Sequence, residues 1–395
     1  MYEKARQILR NTPLIDGHND LPWQYRKRVG NHVAKIDLSA DTSTLEPPMH
    51  TDVGRLRYGH VGAQFWALYL PSSYEGPGAA KVLFEQIDVM RRIIAEYPDT
   101  FALATSADEI CSGFAAGKVA SVLAIEGGHA IENSLAVLRQ AFVAGCRYMT
   151  LTHNDNIAWA DSGTDEPRHN GLTPFGREVV REMNRLGMMV DLSHTSPATM
   201  HDAIDTSEAP VVFSHSGARS VCDHPRNVPD DVLERVRAIE GLVMATFVPS
   251  FVSVEARDHR YRAEAEEARL RGEDVGEDEV GRLIEVWQAA NPAPSADLRQ
   301  VADHIDHLRD VAGIDHVGIG ADFDGITMVP TGLEDVSKYP ALIEELLHRG
   351  YSDDDVAKVA GRNLLRVMYE VEAAAGRIDA LRGPSEARIE ELDKP

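Results

Sequence analysis

The segment Val119-Ala120-Ser121-Val122-Leu123-Ala124-Ile125-Glu126-Gly127-Gly128 is a run of apolar and small residues that ends in one carboxylate and two glycines. A strand covered on both faces reads as continuous hydrophobicity, whereas a strand with one wet face alternates. The run is therefore predicted to be a buried strand over Val119–Ile125 that delivers Glu126 at its C-terminal end. Comparable runs lie on either side, at Pro13–Asp16, Ala63–Leu70, Tyr148–Thr152, Met188–Leu192, Pro210–Phe213, Leu242–Val248 and Val317–Gly320.

Helical periodicity fills most of the intervals, at Ala79–Glu96, Ser106–Ala116, Ile131–Ala144, Thr173–Leu186, Pro197–Ile204, Asp230–Ile239, Leu298–Val311 and Lys338–His348, and Asp353–Glu370 closes the pattern. Strands alternating with helices build a parallel α/β sheet, and a count of eight favours a closed (β/α)8 TIM-type barrel. A dinucleotide-binding sheet would carry GxGxxG after its first strand, where this chain has Asp16-Gly17-His18-Asn19-Asp20. The expected organisation is one barrel domain over residues 1–395, with a charged helical insertion at about 250–295 and a C-terminal helical tail at about 371–395. The stretch Glu255–Glu285 is rich in Arg, Glu and Asp and follows the C-terminal end of a strand, so it suits either a solvated scaffold or a lid over the barrel mouth.

Composition narrows the function by exclusion. The 395 residues carry a formal charge of −23, which argues against nucleic acid and against an anionic membrane surface as partners. No apolar run approaches the roughly 20 residues of a membrane helix. Met1–Pro13 has charged residues and no apolar core of the secretory type. Cys111, Cys146 and Cys222 form no CxxC pair. A cytoplasmic location with reduced thiols is expected.

Which residues end the strands is more informative. His18 and Asp20 follow the first, Glu126 the third, His153 the fourth, His194 the fifth, His215 the sixth and Asp322 the eighth. Unrelated structural residues have no reason to choose the same end of successive strands, and in this fold those ends converge on the catalytic mouth. Four histidines with two or three carboxylates and no thiolate suit Zn²⁺, and also Mn²⁺ or Co²⁺. There are more groups than one catalytic zinc needs, enough for two metals bridged by a carboxylate, with Glu126 as the natural bridge. Elsewhere, His304 and His307 stand at i, i+3 beside Asp303 and Asp306, which reads as a wet helix face.

Taken together, Ile15-Asp16-Gly17-His18-Asn19-Asp20-Leu21-Pro22, Ile125-Glu126-Gly127-Gly128, Leu151-Thr152-His153-Asn154, Val190-Asp191-Leu192-Ser193-His194, Phe213-Ser214-His215-Ser216, Arg226-Asn227-Val228-Pro229 and Gly320-Ala321-Asp322-Phe323-Asp324-Gly325 resemble the renal (membrane) dipeptidase family of the metal-dependent amidohydrolase superfamily. The resemblance runs in order from about residue 12 to 370. It implies a binuclear zinc dipeptidase, with His18 and Asp20 on one ion, His194 and His215 on the other, and Glu126 with a hydroxide bridging both. It further implies that His153 contacts substrate near the scissile carbonyl, Arg226 holds the substrate carboxylate and Asp322 transfers the proton. The implied substrates are dipeptides, including those with a C-terminal D-residue, and the implied assembly is a homodimer. Animal members are secreted, disulfide-linked and lipid-anchored, features not expected for this chain. Two rivals remain at this point: another amide hydrolysis on the same centre, such as that of N-acyl amino acids or lactams, and a metal-binding barrel that has lost catalysis.

Overall fold

The computed structural model describes residues 1–273 and 276–393. Residues 274–275 of the predicted insertion and 394–395 of the predicted tail lie outside the described residues. The described residues form nine strands: β1 Leu14–Asn19, β2 Val61–Tyr69, β3 Phe101–Leu103, β4 Val119–Glu126, β5 Cys146–Thr150, β6 Met189–Asp191, β7 Val211–Phe213, β8 Leu242–Ala245 and β9 Val317–Ile319. All pairings between them are parallel, and β1 joins β9 on one edge and β2 on the other. β2 then pairs with β4 rather than β3, so eight of the strands close into a barrel. This is the expected TIM-type fold.

The ninth strand, β3, was not expected. It pairs only with the start of β4, through Phe101↔Val119 to Leu103↔Ser121, while β5 takes the same edge of β4 from Leu123 to Glu126. β3 thus extends the sheet outside the ring. Other departures are local. Helices Tyr2–Asn11 and Leu21–Val29 were not among the expected ones, and the second has Pro22 in its first turn and left-handed Gly30 ending it. The helix expected over Asp353–Glu370 is broken by a π-turn at Lys358–Arg362, where Gly361 approaches Pro13 too closely for any side chain. The charged insertion forms two helices, Val254–Arg271 and Glu277–Ala290.

Alternation along β4 positions the future site. Ala120, Val122 and Ala124 join Phe65, Tyr148, Val212 and Met244 in the barrel interior, whereas Leu123 and Ile125 pack outward against the helices. Glu126 continues the inward series one step above Ala124. β1 uses a different device. Asp16 faces Gln64 but Asn19 faces Trp66, so β1 holds one extra residue between the two pairings. Such a bulge re-aims side chains, and here it brings His18 into the interior, where its ring reaches Tyr148 on β5.

Candidate metal centre

All eight residues singled out in the sequence meet at the C-terminal mouth of the barrel. Glu126 Oε1 is the focus: the Nε2 atoms of His18, His153, His194 and His215 lie 3.5, 3.7, 3.2 and 3.7 Å from it. His18 Nε2 is also 3.4 Å from Asp20 Oδ2 and 3.9 Å from Asp322 Oδ1. Three overlapping triads have ligand atoms within 4.8 Å of one another: His18, Glu126, His215; Glu126, His153, His194; and His18, Asp20, Asp322. Arg226, from the loop after β7, places Nη2 2.7 Å from His215 Nε2 and lays its guanidinium over Phe251. His153 is partly open to the mouth, its ring packed at a tilt against those of His194 and Tyr69.

At His18 and His215 the partner of Nδ1 orients the ring. Tyr148 donates its hydroxyl proton to the Gly17 carbonyl, so its oxygen accepts from His18 Nδ1 at 2.9 Å. His18 Nε2, fully buried and without a hydrogen-bond partner, faces the carboxylates, as a lone pair when the ring is neutral and as an N–H when it is protonated. Ser214 donates to Asp191 Oδ2 and accepts from His215 Nδ1, which turns the Nε2 lone pair of His215 to the same point. His194 Nε2 stands 3.0 Å from His215 Nε2. His194 Nδ1 has no partner among the described residues, so that ring's tautomer is not fixed, and His215 Nε2 accepts from Arg226; a cation at this point would take up both Nε2 lone pairs. A nitrogen and oxygen donor set of this kind fits a borderline divalent ion.

The charges tell the same story. Burial opposes ionisation of Glu126, but His18, His194 and His153 around it hold its pKa well below the ordinary value. Burial, reinforced by Glu126, pushes Asp20 up to about 6, and burial with Asp20 and Glu126 raises Asp322 well above the usual carboxylate range. Burial and neighbouring cations depress His194 and His215, and burial takes His153 down to about 4. His18 goes the other way: burial opposes its charge, but Tyr148, Glu126 and Asp20 raise its pKa well above the usual histidine range, so the three crowded carboxylates draw positive charge to this point.

Several contributors were not singled out in the sequence. Asp191 accepts from Ser193 N, Ser214 N, Thr150 Oγ1 and Ser214 Oγ. Asp16 accepts from the backbone of His18 and Ala321 and from Gln64 and Tyr339, locking β1 to the start of the loop that carries Asp322. Both are buried, Asp191 as the last residue of β6 and Asp16 within β1, and a charge inside or at the end of an apolar run was the available signal. The glycines after Glu126 serve packing: a side chain on Gly128 would overlap Trp159 and the Leu151 carbonyl. His129 turns to the Leu70 carbonyl. His304 is fully buried, contrary to its reading as a wet face, because its ring is satisfied by Ala218 N–H and the Val252 carbonyl.

A TIM-type barrel that gathers histidines and carboxylates at its strand C-termini defines the chain as a candidate metallohydrolase. Residues 2–382 match the sequence profile of the membrane dipeptidase family (peptidase family M19), and the chain belongs to that family. It is 43% identical over 384 residues, 93% of this chain and 83% of the relative, to an uncharacterized dipeptidase of Schizosaccharomyces pombe. A metallopeptidase from Rhodobacter sphaeroides, solved with a phosphinate mimic of the dipeptide L-Ala-D-Ala, superposes with a TM-score of 0.74 at 26% identity, covering 91% of this chain and 99% of that one. The fold is also shared with the probable dipeptidase PvdM from Pseudomonas aeruginosa, at a TM-score of 0.79, 24% identity and coverage of 95% and 99%. The chain is thus a hydrolase of the dipeptidase class in a metallopeptidase family. Among the described residues, no helix is long and apolar enough to cross a membrane.

Proposed function

We propose that the chain hydrolyses the peptide bond of free dipeptides, including those with a C-terminal D-residue, with two zinc ions at the barrel mouth. The observation that carries this reading is the convergence of four imidazole Nε2 atoms on the buried Glu126 carboxylate. His18 and Asp20 would hold one ion, His194 and His215 the other, and Glu126 both. Bound there, divalent cations supply Lewis acidity and lower the pKa of water toward neutrality.

The remaining chemistry belongs to the chain. His153, neutral because burial depresses its pKa to about 4, has one ring N–H to offer the carbonyl oxygen as it gains negative charge. Asp322 has its Oδ1 3.9 Å from His18 Nε2, and burial with Asp20 and Glu126 raises its pKa. It takes the proton of the attacking water and returns it to the departing amine. Arg226 pairs bidentately with the free α-carboxylate, which restricts substrates to short peptides ending in an acid. Its contact with His215 Nε2 uses the lone pair with which that ring would hold a cation, so a bound cation would leave the guanidinium to the substrate. The test is zinc content measured alongside hydrolysis of matched L,L and L,D dipeptides. Two zinc ions per chain with turnover of both series is expected; a zinc-loaded protein inert toward every dipeptide overturns the reading.

A further inference from the structure

A cavity of about 540 Å³ lies beside the metal centre, between the barrel mouth and the two insertion helices. Val248 and Ser250 line it from the loop after β8, Gly325 and Met328 from the loop after β9, and Arg260 and Gln288 from the insertion. The volume is in the range of small-molecule sites. Gly325 is shared with the metal centre: a Cβ built on it would lie 2.3 Å from Asp20 Oδ2 and 2.5 Å from Asp322 Oδ1. No side chain can stand there, so this one backbone position lines the cavity and abuts both carboxylates. On the other side, the segment Pro249–Val252 that walls the cavity carries Phe251, the ring beneath Arg226. The cavity therefore sits next to the end of the site where the substrate carboxylate is anchored.

Its lining is asymmetric in charge. Among the described residues that line it there is no carboxylate, and Arg260 is the one permanent cation. Arg260 is held from its own helix by Glu264, at 2.8 Å through Nε, while Nη1 stands 3.5 Å from Ser250 Oγ across the cavity rim. The wall is built rather than incidental: His259 Nε2 bonds the Asn291 carbonyl at 2.7 Å and ties one insertion helix to the end of the other.

We propose that this cavity receives the side chain of the substrate's C-terminal residue, and that Arg260 makes it prefer a carboxylate-bearing side chain over its neutral amide isostere. The insertion is then a specificity wall. The inference rests on the dipeptidase reading, with Arg226 at the α-carboxylate.

The experiment compares kcat/KM of the zinc-loaded enzyme for L-Ala-X with X as Glu, Gln, Asp, Asn and Ala, in both C-terminal configurations. A charge-assisted contact predicts an acid-to-amide ratio of about tenfold in the native protein. Arg260→Met should bring that ratio toward one, and Glu264→Gln, which releases the guanidinium from its helix partner, should raise it. A purely structural Arg260 would lower the acid and amide substrates together and leave the ratio unmoved. Turnover of neutral dipeptides with no acid preference, or a ratio that survives Arg260→Met, sinks this inference alone. Absence of turnover with every dipeptide overturns the activity reading and this one with it.

Discussion

Asp191 and His215 are joined through a single hydroxyl: Ser214 Oγ donates to Asp191 Oδ2 over 2.6 Å and stands 2.7 Å from His215 Nδ1. An ionised carboxylate can only accept, so the hydroxyl proton goes to Asp191 and the imidazole proton to Ser214. Asp191 touches none of the proposed ligand atoms, yet it fixes which nitrogen of His215 carries the lone pair. Groups of this kind are part of a metal centre as much as its ligands are.

Ser214→Ala should therefore weaken zinc at one of two sites while sparing the other. The methyl side chain leaves His215 Nδ1–H and one lone pair of Asp191 buried without partners, and the ring loses what holds its tautomer. A loss of about 10–100-fold in affinity is expected for the weaker site. Competition titration against a chelator would measure it, with thermal unfolding to confirm the fold. Unchanged affinity at both sites would mean that Ser214 does not orient the ligand.

Asp322→Asn separates proton transfer from metal holding. The carboxylate is 3.9 Å from His18 Nε2 and belongs to one candidate triad, so a ligand role is the competing assignment. As the proton carrier, its loss should cut kcat by about 10²–10⁴ with zinc content unchanged. A fall in zinc content that matches the fall in rate would make Asp322 a ligand.

The barrel was readable because parallel strands buried on both faces are written as apolar runs, and Glu126 stands out as the lone charge at the end of one. The site was readable because its residues share one end of the strands. What escaped depended on contacts that no local pattern carries. β3 is three residues long and buried only at Phe101, unlike the strands covered on both faces that the apolar runs mark. The bulge that turns His18 inward exists only in the pairing of β1 with β2. The role of Asp191 is set by donors from β5 and from the ends of β6 and β7. His304 looked wet because Asp303, Asp306 and His307 surround it in sequence, but its partners are Ala218 and Val252, more than fifty residues away for the nearer.

Arg226→Ala should raise KM for dipeptides far more than for the corresponding dipeptide amides. The guanidinium is fully buried and burial lowers its pKa only to about 10, so it remains a cation at neutral pH. A bidentate pair with the α-carboxylate is lost in the variant, whereas an amide has no such pair to lose. Steady-state kinetics on the matched substrates decide the matter, and an equal rise in both would assign Arg226 to the support of His215 alone.

His304 gives the pH response of the scaffold away from the metal. Its Nδ1 accepts from Ala218 N–H at 2.9 Å and its Nε2–H donates to the Val252 carbonyl, an arrangement open only to the neutral ring. Burial pushes its pKa down to about 4. In the unfolded chain a histidine titrates near 6.5. As pH falls below that value the unfolded state takes up a proton that the folded state refuses, so stability declines between pH 6.5 and 4 and then levels for this group. At about 1.4 kcal/mol per unit, the contribution is on the order of 3 kcal/mol by pH 4. Glutamine can reproduce both hydrogen bonds without titrating. Urea unfolding of metal-free native and His304→Gln protein, measured from pH 7 to 4, should show the variant losing stability less steeply, by the slope of one proton. Other depressed histidines such as His224, held near 3 by burial, act equally in both proteins and cancel. Superimposable pH profiles would show that His304 does not resist protonation in the folded state.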